Sequence, residues 1–129
     1  MAVNERRPRR STRNFRQYSK ADGGQRRTMI ARLWRGRAKG PNAAAYLRHF
    51  TETVTPELKT LPGHRGAWLL RREADGETEF LALTLWESLD AIRAFAGDAV
   101  ETAIVEPEAR AALSDFDDFA RHYEVASKS

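Results

Sequence analysis

An α+β fold, a four-stranded antiparallel sheet with its helices on one face, is predicted by three features of this sequence. Four segments rich in β-formers (29–38, 65–74, 77–86 and 116–126) are separated by stretches whose apolar residues recur at helical spacing. The second and third strands meet at Asp75-Gly76, a two-residue hairpin signal. Both helical stretches carry start and stop residues. The order is β-α-β-β-α-(α)-β, and a split pair of βαβ units of this kind builds the ferredoxin-like arrangement.

The first strand, Met29–Ala38, ends in the turn residues Lys39-Gly40-Pro41. Pro41-Asn42-Ala43 opens a helix whose apolar stripe is Ala43, Leu47, Phe50, Val54, Leu58 and Leu61. Pro56 lies inside it; a proline removes one backbone bond and crowds the preceding turn, so a kink or a restart at Thr55 is expected. Leu61-Pro62-Gly63 stops the helix. Strand two is Arg65–Ala74 and strand three Glu77–Trp86. Ser88 caps a second helix through Ala91, Ile92 and Phe95, and Gly97 ends it. Pro107 suits the first turn of a short helix through Leu113, and Phe116–Ala126 forms the last strand.

Strand three is apolar on both faces: Leu81, Leu83 and Leu85 on one, Phe80, Ala82, Thr84 and Trp86 on the other. Helices cover one face only. The simplest cover for the second is the same face of another copy, so a homodimer with two sheets packed face to face is expected.

Charge divides the chain. Residues 1–28 hold nine basic side chains against Glu5 and Asp22, whereas 29–129 hold 13 basic and 16 acidic ones. A segment with so few large apolar residues cannot offset its ordering entropy, so 1–28 is read as a disordered basic tail, 29–126 as the folded domain and 127–129 as a short C-terminal tail. Arg9-Arg10 lacks the apolar stretch of an export signal, and Pro8 and Gly23-Gly24 interrupt a transit-peptide helix. Met29 offers an alternative start. Weak electrostatic contact with nucleic acid through the tail is the most that its charge supports. No apolar run reaches the ~20 residues of a membrane helix; the expected setting is cytoplasmic, with no membrane partner. The absence of Cys excludes disulfides, thiolate nucleophiles and Cys-ligated metal, and His49, His64 and His122 are too scattered for a zinc pattern. Phosphate loops, paired catalytic carboxylates and Ser-His-Asp patterns are missing from the sequence. The acidic run Asp115, Asp117 and Asp118 reads as solvated.

Candidate site residues come from residue type and period. Trp34, Trp68 and Trp86 stand one per strand and could stack on a planar aromatic ligand, although a strand tryptophan is more often core or dimer interface. Arg32 shares a face with Trp34, and Arg121 shares one with Tyr123; a guanidinium on a half-buried face needs a partner, either a ligand anion or an interfacial glutamate. His122 is the first candidate for a general base, with a structural role as the competing reading. Tyr46 and His49 lie three apart on a flank of the first helix and could face a cleft. His64 reads as an exposed loop residue and Asn42 as a helix-start residue.

The segments MIARLWRGRAKG, PELKTLPGHRGAWLLRREADGETEFLALTLWESLDAIRAFAG and HYEV together resemble the antibiotic biosynthesis monooxygenase (ABM) superfamily of dimeric α/β barrels, across residues 29–126. Leu-Pro-Gly before strand two and Leu-Trp-Glu-Ser at the junction of strand three and helix two are its clearest marks. The resemblance implies a cofactor-independent monooxygenase acting with O₂ on a small aromatic or quinol-like substrate. It also admits a non-catalytic ligand-binding or stress-related barrel. The heme-degrading branch uses a histidine on or just after helix two and a tryptophan three turns earlier; here Phe95 stands near the tryptophan's place and no His occurs between His64 and His122, so no heme, no other cofactor and no metal are expected. In an oxygenase His122 would serve as base, Arg32 would stabilise negative charge, and Trp34, Tyr46, His49, Trp68, Trp86 and Tyr123 would contact substrate.

Overall fold

The computed structural model describes residues 28–129; the expected disordered tail, but for Thr28, lies outside the described residues. The elements run β1 (Ile30–Ala38), α1 (Asn42–His49), a π-helical stretch (Phe50–Val54), α2 (Thr55–Leu58), β2 (His64–Ala74), β3 (Glu77–Trp86), α3 (Leu89–Ala96), α4 (Pro107–Ala112), β4 (Asp115–Phe116) and β5 (Arg121–Glu124). This is the antiparallel α+β fold that the sequence predicts.

The sheet is ordered β2-β3-β1-β4, with β5 also on β1. Asp75 and Gly76 turn the β2–β3 hairpin with φ of 56° and 78°, the left-handed pair of a type I′ turn. β3 runs antiparallel to β1 from Ile30↔Trp86 to Ala38↔Thr78. The expected single last strand is two. β4 pairs Gly36↔Phe116 and β5 pairs Leu33↔Arg121, so two extra residues lie between them on the β5 side. That segment leaves β1 for another partner: Ala103 N–H donates to Asp118 O and Ala120 N–H to Glu101 O, with a bridge between Thr102 and Phe119. The loop after α3 is thereby tied to the sheet edge.

Pro56 has the expected effect. It occupies the first turn of a helix that restarts at Thr55, and the five residues before it widen into π geometry. Thr51 and Thr55 donate their hydroxyls to carbonyls four residues back, at 2.8 and 3.0 Å, in the same stretch. The widened turn sets Phe50 and Val54 against the interior.

The two sequence marks of the family resemblance meet in space. Gly63 O accepts from Glu87 N–H at 2.8 Å, and a Cβ on Gly63 would stand 2.5 Å from that of Ala91, so helix α3 can approach only a glycine there. Ser88 Oγ accepts from Ala91 N–H at 3.1 Å and caps α3.

The core has two clusters. Tyr46, Phe50, Phe80 and Leu113 anchor one; Ile30, Leu58, Trp86 and Ile92 anchor the other. Trp86 is 0% exposed, stacks on Phe95 at 5.8 Å and donates to Thr84 Oγ1 at 2.9 Å. Trp86→Ala leaves a large void and an unpaired hydroxyl; an unfolding free energy lower by ~3–5 kcal/mol is expected in denaturant titration.

Leu81, Leu83 and Leu85 alternate with Phe80 and Trp86, so they point away from the helices. Trp68, Leu70 and Tyr123 share their face and are about half exposed.

Candidate functional site

A cavity of about 80 Å³ lies where the two core clusters meet, between the sheet and helices α1–α3. Its size suits a compact ligand; pockets for drug-sized molecules run ~300–1,000 Å³. Trp34 and Tyr46 form an aromatic wall, their rings 6.4 Å apart at 43°. Gly36 makes room for that wall, since a Cβ there would stand 3.1 Å from the Trp34 ring. Trp34 Nε1 donates to Asp117 O at 2.7 Å, which fixes the indole. Phe50 and Val54 from the π turn, and Phe95 from α3, complete the apolar lining. Tyr46 is buried, which pushes its phenol pKa up, and its hydroxyl has no hydrogen-bond partner among the described residues.

Arg32 is the charged group of this cavity wall on the sheet side. It is 5% exposed. One terminal nitrogen donates to Val100 O at 2.5 Å and to His122 Nε2 at 2.9 Å; the other donates to Thr102 O at 2.9 Å. The guanidinium also lies 5.5 Å from the centre of the Phe95 ring. Among the described residues no carboxylate stands within ion-pair distance of it. Burial lowers its pKa to about 10, with Glu101 acting the other way, so it remains cationic at neutral pH. A buried cation held by neutral acceptors leaves net positive potential at the cavity wall.

His122 accepts from Arg32, so its Nε2 lone pair is occupied and its other nitrogen carries the proton. Burial and then the Arg32 charge hold its pKa down at about 4. That depression acts on stability. Above pH ~6.5 both states carry a neutral ring; as pH falls toward 4 only the unfolded chain takes the proton, so stability drops through this window. His64, depressed mainly by burial, adds in the same direction. His122→Gln is expected to flatten the acid limb of a stability-versus-pH curve by on the order of 1–3 kcal/mol between pH 6.5 and 4; an unchanged slope in pH-dependent denaturation would contradict the assignment.

On the helix side His49 is 8% exposed. Its Nε2 lies 3.2 Å from Glu106 Oε1 and its Nδ1 3.0 Å from Glu108 Oε1. The Nδ1 contact has the distance but not the alignment of a hydrogen bond. Glu106 lines the cavity; Glu108 lies along an open groove of about 390 Å³ beside α1 and α4, and His49 borders both spaces.

The family model for antibiotic biosynthesis monooxygenases matches residues 29–113. The chain belongs to that family. No curated protein sequence matches it. Among solved structures, a candidate antibiotic biosynthesis monooxygenase from Bacillus cereus is 18% identical with a TM-score of 0.55, over 79% of this chain and 97% of that one, and shares the fold. SnoaB from Streptomyces nogalater, a cofactor-independent oxygenase, is 18% identical over 81% and 96%, TM-score 0.49. The ActVA-Orf6 monooxygenase of Streptomyces coelicolor, solved with nanaomycin D, is 15% identical over 80% and 89%, TM-score 0.47.

Within this ABM domain the residues singled out from sequence separate into groups. Arg32, Trp34, Tyr46 and His49 line one cavity. His122 is not among the lining residues; it sits behind Arg32 as its acceptor, and thus differs from the free base expected. Trp86 is core rather than ligand wall. Trp68, opposite Leu83, and Tyr123, opposite Ala31, point to the helix-free face, where period two puts them. Arg121 is exposed on that face opposite Leu33. His64 is no free loop residue: it begins β2 and packs edge-on against Trp86 at 5.1 Å. Asn42 starts α1 and borders the groove. Asp117 of the acidic run pairs with Arg35 at 3.1 Å. Glu106 and Glu108 were not anticipated; Pro107 marks them as helix-start residues, and only the packing of α4 on α1 brings them to His49. Among the described residues no helix is long and apolar enough to cross a membrane, and no group of three His, Asp or Glu could hold a metal ion.

Proposed function

We propose that the chain is a cofactor-independent monooxygenase that oxidises a small aromatic, anthrone- or quinol-like substrate with O₂. The observation that carries this is the buried Arg32 without a carboxylate, set in an aromatic cavity of an ABM domain. Such a cavity favours the anion of an acidic aromatic over its neutral form. In an anthrone-type substrate the ring CH₂ gives up a proton, and the carbanion passes one electron to O₂. The radical pair combines to a hydroperoxide, which loses water to leave a ketone. One oxygen atom enters the product and the other leaves as water; the substrate supplies all the electrons. Trp34 and Phe95 hold the ring, and Tyr46 offers its free hydroxyl to a ligand oxygen. His122 positions Arg32 in this reading, and the proton goes elsewhere.

The working form in this proposal is a homodimer, a two-fold pair of sheets joined through Leu81, Leu83, Leu85, Trp68, Leu70 and Tyr123. The support is the half-exposed apolar side chains on the face without helices.

Oxygen uptake with an anthrone and a hydroquinone, product identified by mass and ¹⁸O₂ label, tests the oxygenase reading. One labelled atom in a ketone product is expected. Ligand binding with no oxygen uptake would make the chain a non-catalytic binding member of the family.

A further inference from the structure

We propose that Glu106, His49 and Glu108 form a proton relay that carries a proton out of the cavity to the groove beside α1 and α4. The imidazole forms part of the partition between the two spaces, and each of its nitrogens faces one carboxylate, at 3.2 Å toward the cavity side and 3.0 Å toward the groove side. The carboxylates stand at opposite ring nitrogens and so cannot converge on one metal ion. A purely structural tie would be satisfied by one carboxylate; here a nine-tenths-buried ring has one at each nitrogen, and the exposed Glu108 has only to turn to align with Nδ1 for the proton to cross. Glu106 is a third exposed and Glu108 three-quarters exposed at the side chain, so the relay begins at a cavity wall and ends in water.

The steps balance. Glu106 takes the proton from an acidic ligand O–H or C–H and the ligand keeps the electron pair as an anion. Glu106 passes that proton to the Nε2 lone pair of a His49 ring that carries its own proton on Nδ1, and the Nδ1 proton leaves to Glu108, which passes it to water. The Glu106 carboxylate is thereby restored, and the ring, left with its proton on Nε2, returns to the Nδ1–H form by exchange with water before the next cycle. Other charged groups face this line: Glu57 borders the cavity, and Arg48 and Glu52 border the groove.

The relay rests on the oxygenase reading only for the identity of its natural ligand, so a redox-inert phenol can test it alone. 4-Nitrophenol absorbs differently as phenol and as phenolate. In stopped-flow mixing with the full chain, the absorbance rise of the bound phenolate is expected to slow about 10²-fold in His49→Ala, near the lower end of what a placed proton-transfer group contributes. Added imidazole is expected to restore most of the rate, because it can occupy the vacated place; a structural role has no such rescue. Glu108→Gln, exposed and nearly isosteric, is expected to fold normally and to slow the same phase with unchanged phenol affinity. A probe left neutral or unbound, rates equal across the variants, or loss in His49→Ala without imidazole rescue would overturn the relay. Intact relay behaviour without oxygen uptake on anthrone would overturn only the oxygenase reading.

Discussion

Arg32→Met is expected to lower kcat for an anthrone-type substrate by ~10²–10³-fold, the range seen when one preorganised group is removed from a developing anion. The guanidinium is fixed by Val100 O, Thr102 O and His122 before any ligand arrives, so it needs no reorganisation as charge builds. The same substitution touches stability in two directions. It removes a buried charge that is costly to desolvate, and it strands two carbonyls and an imidazole nitrogen. Methionine fills similar space, so a net loss of ~1–3 kcal/mol in denaturant titration is expected. Arg32→Lys separates charge from shape. A lysine keeps the cation but cannot span both carbonyls and His122 with one ammonium. Partial recovery of kcat with a poorer KM would place the charge itself at the reacting anion. Methionine kinetics equal to those of the unsubstituted chain would remove Arg32 from the reaction.

Local chemistry explains which parts of this structure were legible in the sequence. The Asp75-Gly76 turn, the Ser88 cap, the Gly97 stop and the restart at Thr55 each depend on residues within one turn of each other. Period two gave the faces of β3, and both proved apolar. What period two cannot say is which face carries the helices, so Trp34 and Trp68 read alike although one lines the cavity and the other does not. The last strand divides for a related reason. Residues 118–120, Asp-Phe-Ala, carry no Gly or Pro that would mark a break in a strand, and their change of partner from β1 to the loop at 101–103 depends on contacts far along the chain. His122 drew attention as a titratable group near neutrality. Its burial beside Arg32, 90 positions away, withdraws it from that role. His49 was recognised as a flank residue, while its two glutamates belong to a helix whose docking no local pattern reports.

Leu83→Glu is expected to convert the proposed homodimer to a monomer. In the sheet Leu83 lies between Leu33 of β1 and Trp68 of β2, on the face away from both core clusters. A carboxylate there would cost little in the monomer, where water reaches it, and several kcal/mol in a dry interface where it has no partner. A two-fold pair carries the substitution twice, so the penalty is counted in both subunits. A rise in dissociation constant of at least ~10³-fold follows, equivalent to roughly 4 kcal/mol. Light scattering after size exclusion should give twice the chain mass for the unsubstituted protein at micromolar concentration and the single mass for the variant. The variant should keep its far-ultraviolet circular dichroism, since no buried core side chain is altered. Two arginines on this face bear on the design: Arg35 is already paired with Asp117, whereas Arg121, exposed opposite Leu33, stands in the same cross-strand row as Leu83, so the substitution is also made together with Arg121→Gln to remove that cation. An unsubstituted chain that runs as a folded monomer would remove the dimer and leave the exposed Trp68 and leucine face to be covered by a different partner.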